Sequence, residues 1–310
     1  MKPKDSKEEI NADYLIELAL KEDLGNKISE GDITSNATIS KTKIIKIQIR
    51  VKEHCVLCGM ILVKRIIEIY EKLAKIKGKN KVKFKTLRKD GSFMQKNEKV
   101  AEISGNARTI LGVERTILNF LAVLSGVATT TNKFVERVLP YRVQLLDTRK
   151  TIAGYRELEK YAVRTGGGTN HRKGLYDMFL VKDNHIAADG NLRKTIEQIE
   201  KIKKNNRKDK DKKVEVEIES LQQLDELLKL KKLPDWVMLD NLSYEEMEIG
   251  VERLRRKSKE LKKDVKIEAS GGVNLQNISE VAKCGVDYIS VGTALTLGAK
   301  PIDFCIDVIV

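Results

Sequence analysis

The sequence predicts an α/β protein in two parts: a layer of sheet against helices, then an incomplete parallel α/β barrel. Two observations support this prediction. Up to about residue 125, amphipathic helices and alternating strands follow one another without a fixed order. From there on, a short apolar strand and, usually, a helical stretch recur, giving six strand units, which is typical of parallel β/α folds.

The first part has the pattern of sheet packed on helices. Between Ile45 and Val51, an apolar residue occupies every second position, as in a strand with one buried face. Helical spacing predicts helices at 13–24, 59–75 and 107–124, and strands are predicted at 81–87 and 99–103. Asp90 and Gly91 mark a turn between those strands. We expect a first domain over residues 1–125.

The second part repeats strand and helix. Its strands end at Leu146, Val181, Ile218, Leu239, Ala269 and Val291, and helical patterns fall at 192–204, 221–230, 244–261 and 275–283. Polar or glycine residues follow each strand, at the edge where parallel barrels hold their active sites. Six units do not support a complete eight-stranded barrel, so we expect an incomplete barrel domain over residues 126–295.

The charge of the chain is high but unevenly placed. Apolar residues make up 41% and charged residues 34%, as in a folded globular protein, and the net charge is +14. Such a charge would suit nucleic acid. However, residues 201–213 alone hold eight basic and two acidic residues, and aromatic residues that could stack on bases are only 5%. We therefore expect a solvated surface stretch and no nucleic-acid partner.

The four cysteines indicate a reducing compartment. Cys55 and Cys58 have the spacing of a metal or redox pair, but no second pair of that spacing occurs, so we expect structural thiols. The N-terminus is polar, unlike a signal peptide, and the apolar stretch at 60–70 is short and interrupted by charges. We expect a cytoplasmic protein with no membrane span.

Most of the functional signal lies in residues 147–186. Cations and histidines there surround a glycine turn at 166–168, and two predicted strands, at 143–146 and 178–181, lead into the segment. These residues are Arg149, Lys150, His171, Arg172, Lys182 and His185. Arginine offers a planar fork for carboxylate or phosphate, and lysine offers a point charge. The pattern predicts a pocket for a small, highly anionic ligand.

Two acidic residues at other strand ends face this pocket. Glu217 and Asp240 suit a sugar hydroxyl, a divalent metal held on phosphates, or a developing positive charge. Plainer alternatives stay open. We expect one of Glu215 and Glu217 to point into the barrel, Asp240 could cap a helix, and His171 could be a satisfied core residue.

Turns that contain glycine follow the last two strands. They are Ser270, Gly271 and Gly272 after one strand, and Gly292 and Thr293 after the next. Each is expected to open toward a helix. Glycines there would let backbone N–H groups approach phosphate oxygens, although turns need glycine for other reasons as well.

These residues carry a family resemblance. DTRKT, GGGTNHRKGLYD and VKDNHI, within residues 147–186, closely resemble the signature of the quinolinate phosphoribosyltransferase family. GDITS at 31–35, GVERTILNFLAVLSGVATTT at 112–131, and then VEVE, MLDN, EASGGVN and ISVGTAL also follow the family's order. The resemblance spans about residues 13–307. It implies an N-terminal α/β sandwich, an open α/β barrel of about seven strands, and a C-terminal tail, about 296–310, that returns to the first domain.

The resemblance also implies an activity and a site. The family transfers a phosphoribosyl group from phosphoribosyl pyrophosphate to quinolinate and removes one carboxylate as carbon dioxide, in de novo NAD biosynthesis. By position, it implies catalytic roles for Lys150, Lys182, Glu217 and Asp240. It implies substrate contacts for those four and for Arg115, Thr148, Arg149, His171, Arg172, Ser270, Gly271, Gly272, Gly292 and Thr293.

A metal and an assembly are implied in the same way. Glu217 and Asp240 would hold Mg²⁺, partly through phosphates or water. Arg115 would reach the neighbouring site of a homodimer, which could assemble further into a hexamer.

Two departures from the family pattern leave loop geometry open. Ile152 and Ala153 stand where the family commonly has Thr-Pro, and Leu297 and Gly298 replace a usual His-Ser. Three other functions compete with the implied one: a relative with a different aromatic acceptor, a nucleic-acid-binding protein, and a phosphate-binding barrel without catalysis.

Overall fold

The computed structural model describes residues 12–78 and 81–309, which form two compact units. The first unit contains the described residues up to Thr130, together with Ile152–Gly166 and those from Ala299 onward. The second contains Thr131–Thr151 and Gly167–Gly298. Residues 1–11, part of the polar N-terminus in which no signal peptide was expected, lie outside the described residues.

A four-stranded antiparallel sheet organises the first unit. Its strands are β1 (Ile44–Val51), β3 (Lys83–Thr86), β5 (Lys99–Asn106) and β12 (Phe304–Ile309), in the order β12-β1-β5-β3. A separate pair joins β2 (Cys55–Val56) to β4 (Phe93–Met94). The C-terminal strand β12 pairs along β1, with Val51 opposite Phe304. The chain therefore ends in the sheet that its early part began.

Six helices have residues in the first unit. They are α1 (Asp13–Leu24), α2 (Ile28–Gly31), α3 (Ile33–Thr38), α4 (Met60–Leu73), α5 (Ala107–Val138) and α6 (Arg156–Thr165). The apolar faces of α1, α4 and α5 bury Ile16, Ile66 and Leu121 completely, in one core with Ile47 and Ile49 of β1. The alternation that predicted β1 is thus the alternation that fills this core.

Helix α5 is longer than predicted. It continues past residue 124 to Val138, so the expected domain boundary at 125 lies inside a helix. Gly126 does not end it, because packing outweighs the weak helix propensity of a single glycine. A Cβ at Gly126 would lie 2.5 Å from the carbonyl oxygen of Lys300, so the glycine admits the C-terminal tail. Ala107–Tyr141 is long and apolar enough to cross a membrane, but 67% of its most apolar window is buried in the protein, as in a core helix.

The segment Ile152–Gly166 differs from the predicted division of the chain. The sequence placed it in the barrel domain, whereas the structure groups it with the first unit. Its helix α6 buries Leu158, Ala162 and Val163 in the first core. The cause is a packing partner far away in sequence, which local patterns do not reveal.

The second unit is built on six parallel strands. They are β6 (Gln144–Leu146), β7 (Phe179–Val181), β8 (Val214–Ile218), β9 (Trp236–Asp240), β10 (Lys266–Ser270) and β11 (Tyr288–Ser290), in the order β6-β11-β10-β9-β8-β7. Thr169 bridges Leu146 in parallel, on a rudimentary seventh strand beside β6. Among the described residues, no pairing joins Thr169 to β7. The predicted open, incomplete barrel is confirmed.

Inward and outward side chains alternate along each barrel strand. On β8, Val216 and Ile218 face outward into an apolar core, while Glu215 and Glu217 face inward. We expected only one of the two glutamates to point into the barrel, and this was wrong. Residues two apart on a strand share a face, so both must point the same way.

Five helices lie between or after these strands. They are α7 (Asp183–Asp189), α8 (Leu192–Asn205), α9 (Leu221–Leu228), α10 (Tyr244–Glu260) and α11 (Ile278–Lys283). Side chains of Asn191, Ser220 and Ser243 cap α8, α9 and α10 by accepting backbone N–H bonds. Residues 201–213 are largely exposed, as a solvated charged stretch should be.

Candidate active site

A pocket of about 330 Å³ opens at the carboxyl ends of the barrel strands. Nine of the predicted site residues line it: Thr148, Arg149, Lys150, His171, Arg172, Lys182, Glu217, Asp240 and Ser270. Leu180, Met238, Glu268 and Ser290 line it as well. Parallel strands bring residues distant in sequence to the same edge, which explains why strand-end residues of different units meet here.

Three cations of the pocket have no acidic partner. The ion pairs at this pocket join His171 to Glu215 and Glu268, and Lys182 to Glu217. Throughout the described chain, no carboxylate pairs with Arg149, Lys150 or Arg172. Burial, and then the charge of Arg149, lowers the pKa of Arg172. This excess of positive charge favours an anionic ligand.

Both backbone polar groups of Lys150, in the loop after β6, are hydrogen-bonded. The Lys150 backbone N–H donates to Thr148 Oγ1 at 3.0 Å, and its carbonyl oxygen accepts from Thr296 Oγ1. A Cβ at Gly292 would lie 2.8 Å from Lys150 Cδ. The side chain of Lys150 therefore packs directly on the backbone of Gly292, where a larger residue would clash.

The backbone N–H and both ring nitrogens of His171 have polar neighbours. Its backbone N–H donates to Asp147 Oδ1 at 2.7 Å, and its Nδ1 accepts the Arg172 N–H at 2.7 Å. Its Nε2 lies 3.0 Å from Glu215 Oε2 and 3.3 Å from Glu268 Oε2. Nδ1 is hydrogen-bonded and Nε2 faces two buried carboxyl groups, so His171 is a largely buried histidine that borders the pocket.

Two influences on the His171 ring oppose each other. Burial lowers its pKa, but Glu215 and Glu268 raise it more strongly, and so favour the imidazolium. The Arg172 N–H bond favours a neutral ring that donates from Nε2. We give the hydrogen bond more weight, because a proton on Nδ1 would face a backbone N–H. Burial, followed by the charge of Glu268, raises the pKa of Glu215 to about 7, which weakens the pull on His171.

The two predicted acids differ in their surroundings. Glu217 accepts a hydrogen bond from Lys182 Nζ. Burial raises the Glu217 pKa, Lys182 lowers it, and Asp240 raises it further. Asp240 accepts from Asn241 Nδ2 at 2.8 Å. It is not a helix cap, because Ser243 caps α10.

The two glycine turns have different structures. Ser270 lines the pocket, and Gly271 has a φ of 95° with Asn241 Oδ1 only 2.2 Å from where a Cβ would lie, so only glycine fits. The expectation of a helix after Gly292 and Thr293 was wrong: residues 293–298 form turns. Gly298 and the nearby Pro301 leave too short a run for a helix.

Eight residues singled out in the sequence are not among those that line this pocket: Gly271, Gly272, Gly292 and Thr293 of the glycine turns, and Arg115, His185, Cys55 and Cys58. Arg115 is on α5 and lines a separate space of about 190 Å³ with Glu22 and Asp23. His185 Nδ1 accepts the Lys182 N–H and so caps α7. Cys55 and Cys58 are buried and free, and burial raises the pKa of Cys55 to about 12, so neither is a reactive thiolate.

Sequence reasoning missed the inner layer of the site. Asp147, Glu268 and Ser290 were not predicted, and Glu215 was set against Glu217 as an alternative. Asp147 is almost fully buried and also accepts from Asn170 Nδ2 at 2.7 Å. Counting back two positions from Glu217, Ser270 and Gly292 would have found Glu215, Glu268 and Ser290.

An oxygen-rich group beside the pocket suits a hard cation. Carboxylate oxygens of Asp183, Glu217 and Glu219 lie within 4.8 Å of one another. Such a donor set matches the preference of Mg²⁺ for oxygen ligands. It includes Glu217 of the predicted pair but replaces Asp240 with two other residues.

Comparison with known proteins agrees with this architecture. Residues 32–125 match the N-terminal domain of quinolinate phosphoribosyl transferase, and residues 127–307 match its C-terminal domain. A probable nicotinate-nucleotide pyrophosphorylase (carboxylating) of Methanocaldococcus jannaschii is 38% identical over 96% of this chain and 98% of its own. The chloroplastic enzyme of Arabidopsis thaliana is 34% identical over 95% of this chain and 82% of its own.

Solved structures extend the likeness to three dimensions. The nicotinate-nucleotide pyrophosphorylase of Francisella tularensis is 39% identical, with a TM-score of 0.82 and 96% of each chain covered. That of Ehrlichia chaffeensis is 33% identical, with a TM-score of 0.83, over 97% of this chain and all of the other. With both of its domains matched, this chain belongs to the quinolinate phosphoribosyltransferase family.

Proposed function

We propose that this protein catalyses the decarboxylating transfer of phosphoribose from phosphoribosyl pyrophosphate to quinolinate. The products are nicotinate mononucleotide, pyrophosphate and carbon dioxide, as in de novo NAD biosynthesis. The observation that carries the proposal is the set of three cations without acidic partners in a 330 Å³ pocket at the strand ends. Family membership supplies the reaction.

The three cations can neutralise the negative charge of the two substrates. Quinolinate and phosphoribosyl pyrophosphate are both anionic, and like charges repel strongly at bonding distance. Arg149 and Arg172 present guanidinium forks suited to the quinolinate carboxylates. Lys150 supplies a further positive charge, and its backbone N–H and carbonyl oxygen are both hydrogen-bonded within the protein. Their role is positioning and neutralisation.

The bond changes need little proton transfer. The quinolinate nitrogen attacks the anomeric carbon as pyrophosphate leaves, and positive charge develops on the sugar. Glu217 and Asp240 can stabilise that charge and bind ribose hydroxyls. The bond to the 2-carboxylate then breaks, carbon dioxide leaves, and the electron pair at C2 is stabilised by the adjacent pyridinium before it takes a proton from water.

Phosphate groups and Mg²⁺ have candidate sites beside this chemistry. Ser270, Gly271, Gly272, Gly292 and Thr293 follow β10 and β11 and offer backbone N–H groups to the 5′-phosphate. Glu217 would hold Mg²⁺ with Asp183 and Glu219 or, as the resemblance implies, with Asp240. A bound Mg²⁺ would neutralise pyrophosphate as it departs.

Assembly and location are part of the proposal. We infer a cytoplasmic homodimer in which Arg115 reaches the site of the other subunit, with assembly to a hexamer left to mass measurement. Mixing Arg115→Ala with Arg149→Ala protein should restore part of the activity that each loses alone, because one intact site can form from two different subunits. Mixtures no more active than their components would contradict this role of Arg115.

The test of the reaction is direct. Purified protein, quinolinate, phosphoribosyl pyrophosphate and Mg²⁺ should give nicotinate mononucleotide and carbon dioxide in equal amounts. Nicotinate in place of quinolinate is the matched control, since it has one carboxylate fewer. Turnover of nicotinate but not quinolinate would mean a different acceptor, and no turnover with either would favour a binding protein on the same fold.

A further inference from the structure

A buried trio of side chains lies at the inner wall of the pocket. Glu215 on β8 and Glu268 on β10 are completely buried, and His171 lies between their carboxyl groups. In register, Glu215 pairs with Trp236, two residues before the Met238 that pairs with Glu217, whereas Glu268 pairs with Met238 and so lies level with Glu217. His171 and Glu268 line the pocket and Glu215 lies behind them, so the trio forms part of the inner wall of the pocket.

Aromatic rings lie beside the trio, at the strand positions paired with Glu215 and Glu268. Trp236 and Tyr288 stack with ring centroids 4.4 Å apart, and the His171 ring meets Trp236 edge-on at 6.2 Å. The two carboxyl groups thus lie in a largely apolar environment. Burying two acids there costs free energy, and apolar side chains of the same volume would fill the space more favourably. The fold retains acids at a position where packing alone does not require them.

The trio is connected to one pocket cation, Arg172, through the His171 ring. The carboxyl groups of Glu215 and Glu268 fix the Nε2 side of the imidazole. The Nδ1 side accepts the backbone N–H of Arg172, the residue whose guanidinium enters the pocket. The direction in which Arg172 leaves the barrel wall therefore depends on the orientation of the His171 ring.

We propose that Glu215 and Glu268 are positioning residues that orient the His171 ring and, through it, Arg172 toward the quinolinate carboxylates. This inference rests on the proposed function for its substrate. It assigns His171 to support of the pocket, where the family resemblance implied a direct substrate contact. Both carboxyl groups are completely buried and face the His171 ring, so their effect should appear in substrate binding before it appears in the chemical step.

Kinetics of matched variants test this inference. Glu268→Leu keeps the volume and removes the acceptor, and should raise the KM for quinolinate about tenfold or more, with a smaller change in kcat. Glu268→Gln keeps an acceptor oxygen for Nε2–H and should restore most of the affinity. Glu215→Leu and Glu215→Gln should behave in the same way. The KM for phosphoribosyl pyrophosphate should change least.

A control on the other face of the same strand separates positioning from packing. Val216→Ala removes an outward, fully buried side chain and should lower the thermal unfolding midpoint while the quinolinate KM stays unchanged. A KM for Glu268→Leu within about twofold of the wild type would overturn the proposal. So would a KM change in Val216→Ala as large as that in Glu268→Leu.

Nitrogen NMR of the histidine rings in the wild-type protein covers the case in which the leucine variants do not fold. The chain has three histidines, so His54→Asn and His185→Asn variants suffice to assign His171. We expect a ring that donates from Nε2 and accepts at Nδ1, and a changed signal in Glu268→Gln. A ring protonated at Nδ1 would overturn the proposal. So would a stoichiometric metal ion that replaces the Nε2 proton, because these three side chains could also ligate one.

The NMR measurement also separates this inference from the proposed reaction. It needs no substrate and reads only the trio. The expected ring state together with no turnover of quinolinate would refute the proposed function and leave the trio intact. Turnover of quinolinate together with a ring protonated at Nδ1 would refute the trio alone.

Discussion

The two ends of the barrel strands use charge in opposite ways. At the amino ends, Asp235 accepts the Val214 N–H at 2.9 Å and lies 3.5 Å from Lys263. Asp287 likewise accepts the Ile267 N–H at 2.8 Å and pairs with Arg255. At the carboxyl ends, three pocket cations, Arg149, Lys150 and Arg172, pair with no carboxylate among the described residues. Charge that is satisfied stabilises the fold, and charge left over remains available for a ligand.

The largest effect should come from the carboxyl end. Arg149→Ala should lower kcat/KM for quinolinate by about 100-fold or more, since it removes a half-buried fork suited to a carboxylate. Thermal stability should change little. Arg255→Ala is the matched control at the amino end, with the opposite outcome: lower stability and unchanged kinetics. Equal kinetic losses in the two variants would remove the distinction between the ends.

An intermediate effect should appear at the amino end. Asp235→Asn should lower the free energy of unfolding at pH 7 by about 1–3 kcal/mol, because an ionised acceptor of a strand N–H is lost. Steady-state kinetics should stay unchanged. Denaturant unfolding of both proteins measures the difference.

The pH dependence of that difference has a definite sign. Burial raises the Asp235 pKa, but the Val214 N–H and the charges of Lys263 and Lys203 outweigh it and hold the pKa below its ordinary value of 3.8. A carboxyl whose pKa is lowered by folding stabilises above the ordinary value and loses this effect as pH falls through the folded-state pKa. The gap between wild type and Asp235→Asn should therefore shrink below about pH 4. A constant gap down to pH 2 would contradict the assignment.

The smallest effect belongs to the exposed stretch at 201–213. Lys208→Gln with Lys210→Gln should change stability by less than about 0.5 kcal/mol and leave the quinolinate KM as it is. Both lysines are exposed. Filter binding of duplex DNA at several salt concentrations is the second measurement. Tight binding that weakens steeply with salt and is lost in the variant would revive the nucleic-acid function that composition alone suggested.

Much of the fold could be predicted because its signals are local. All six barrel strands end within one residue of the predicted positions, since apolar runs followed by polar residues mark strand ends directly. Strand β1 followed from its alternation. Helix α5 was predicted too short, and α6 packs with the first unit although it lies within the predicted barrel segment, because both depend on packing partners far along the chain.

The pocket residues at the strand ends were predictable for the same reason. The buried acids around His171 were not. Arg149, Arg172 and Glu217 stand at strand ends, where position in the sequence indicates position in the fold. Glu215 and Glu268 are ordinary strand residues until three strands bring them together around His171. No single segment contains that contact.

By itself, the sequence determined the family, the parallel barrel and the cations at its open edge, because each is written in local periodicity and in motifs of contiguous residues. Only the tertiary structure decided which charges are satisfied and which are free. Ion pairing depends on distances between residues that lie far apart along the chain, and those distances exist only once the strands have assembled.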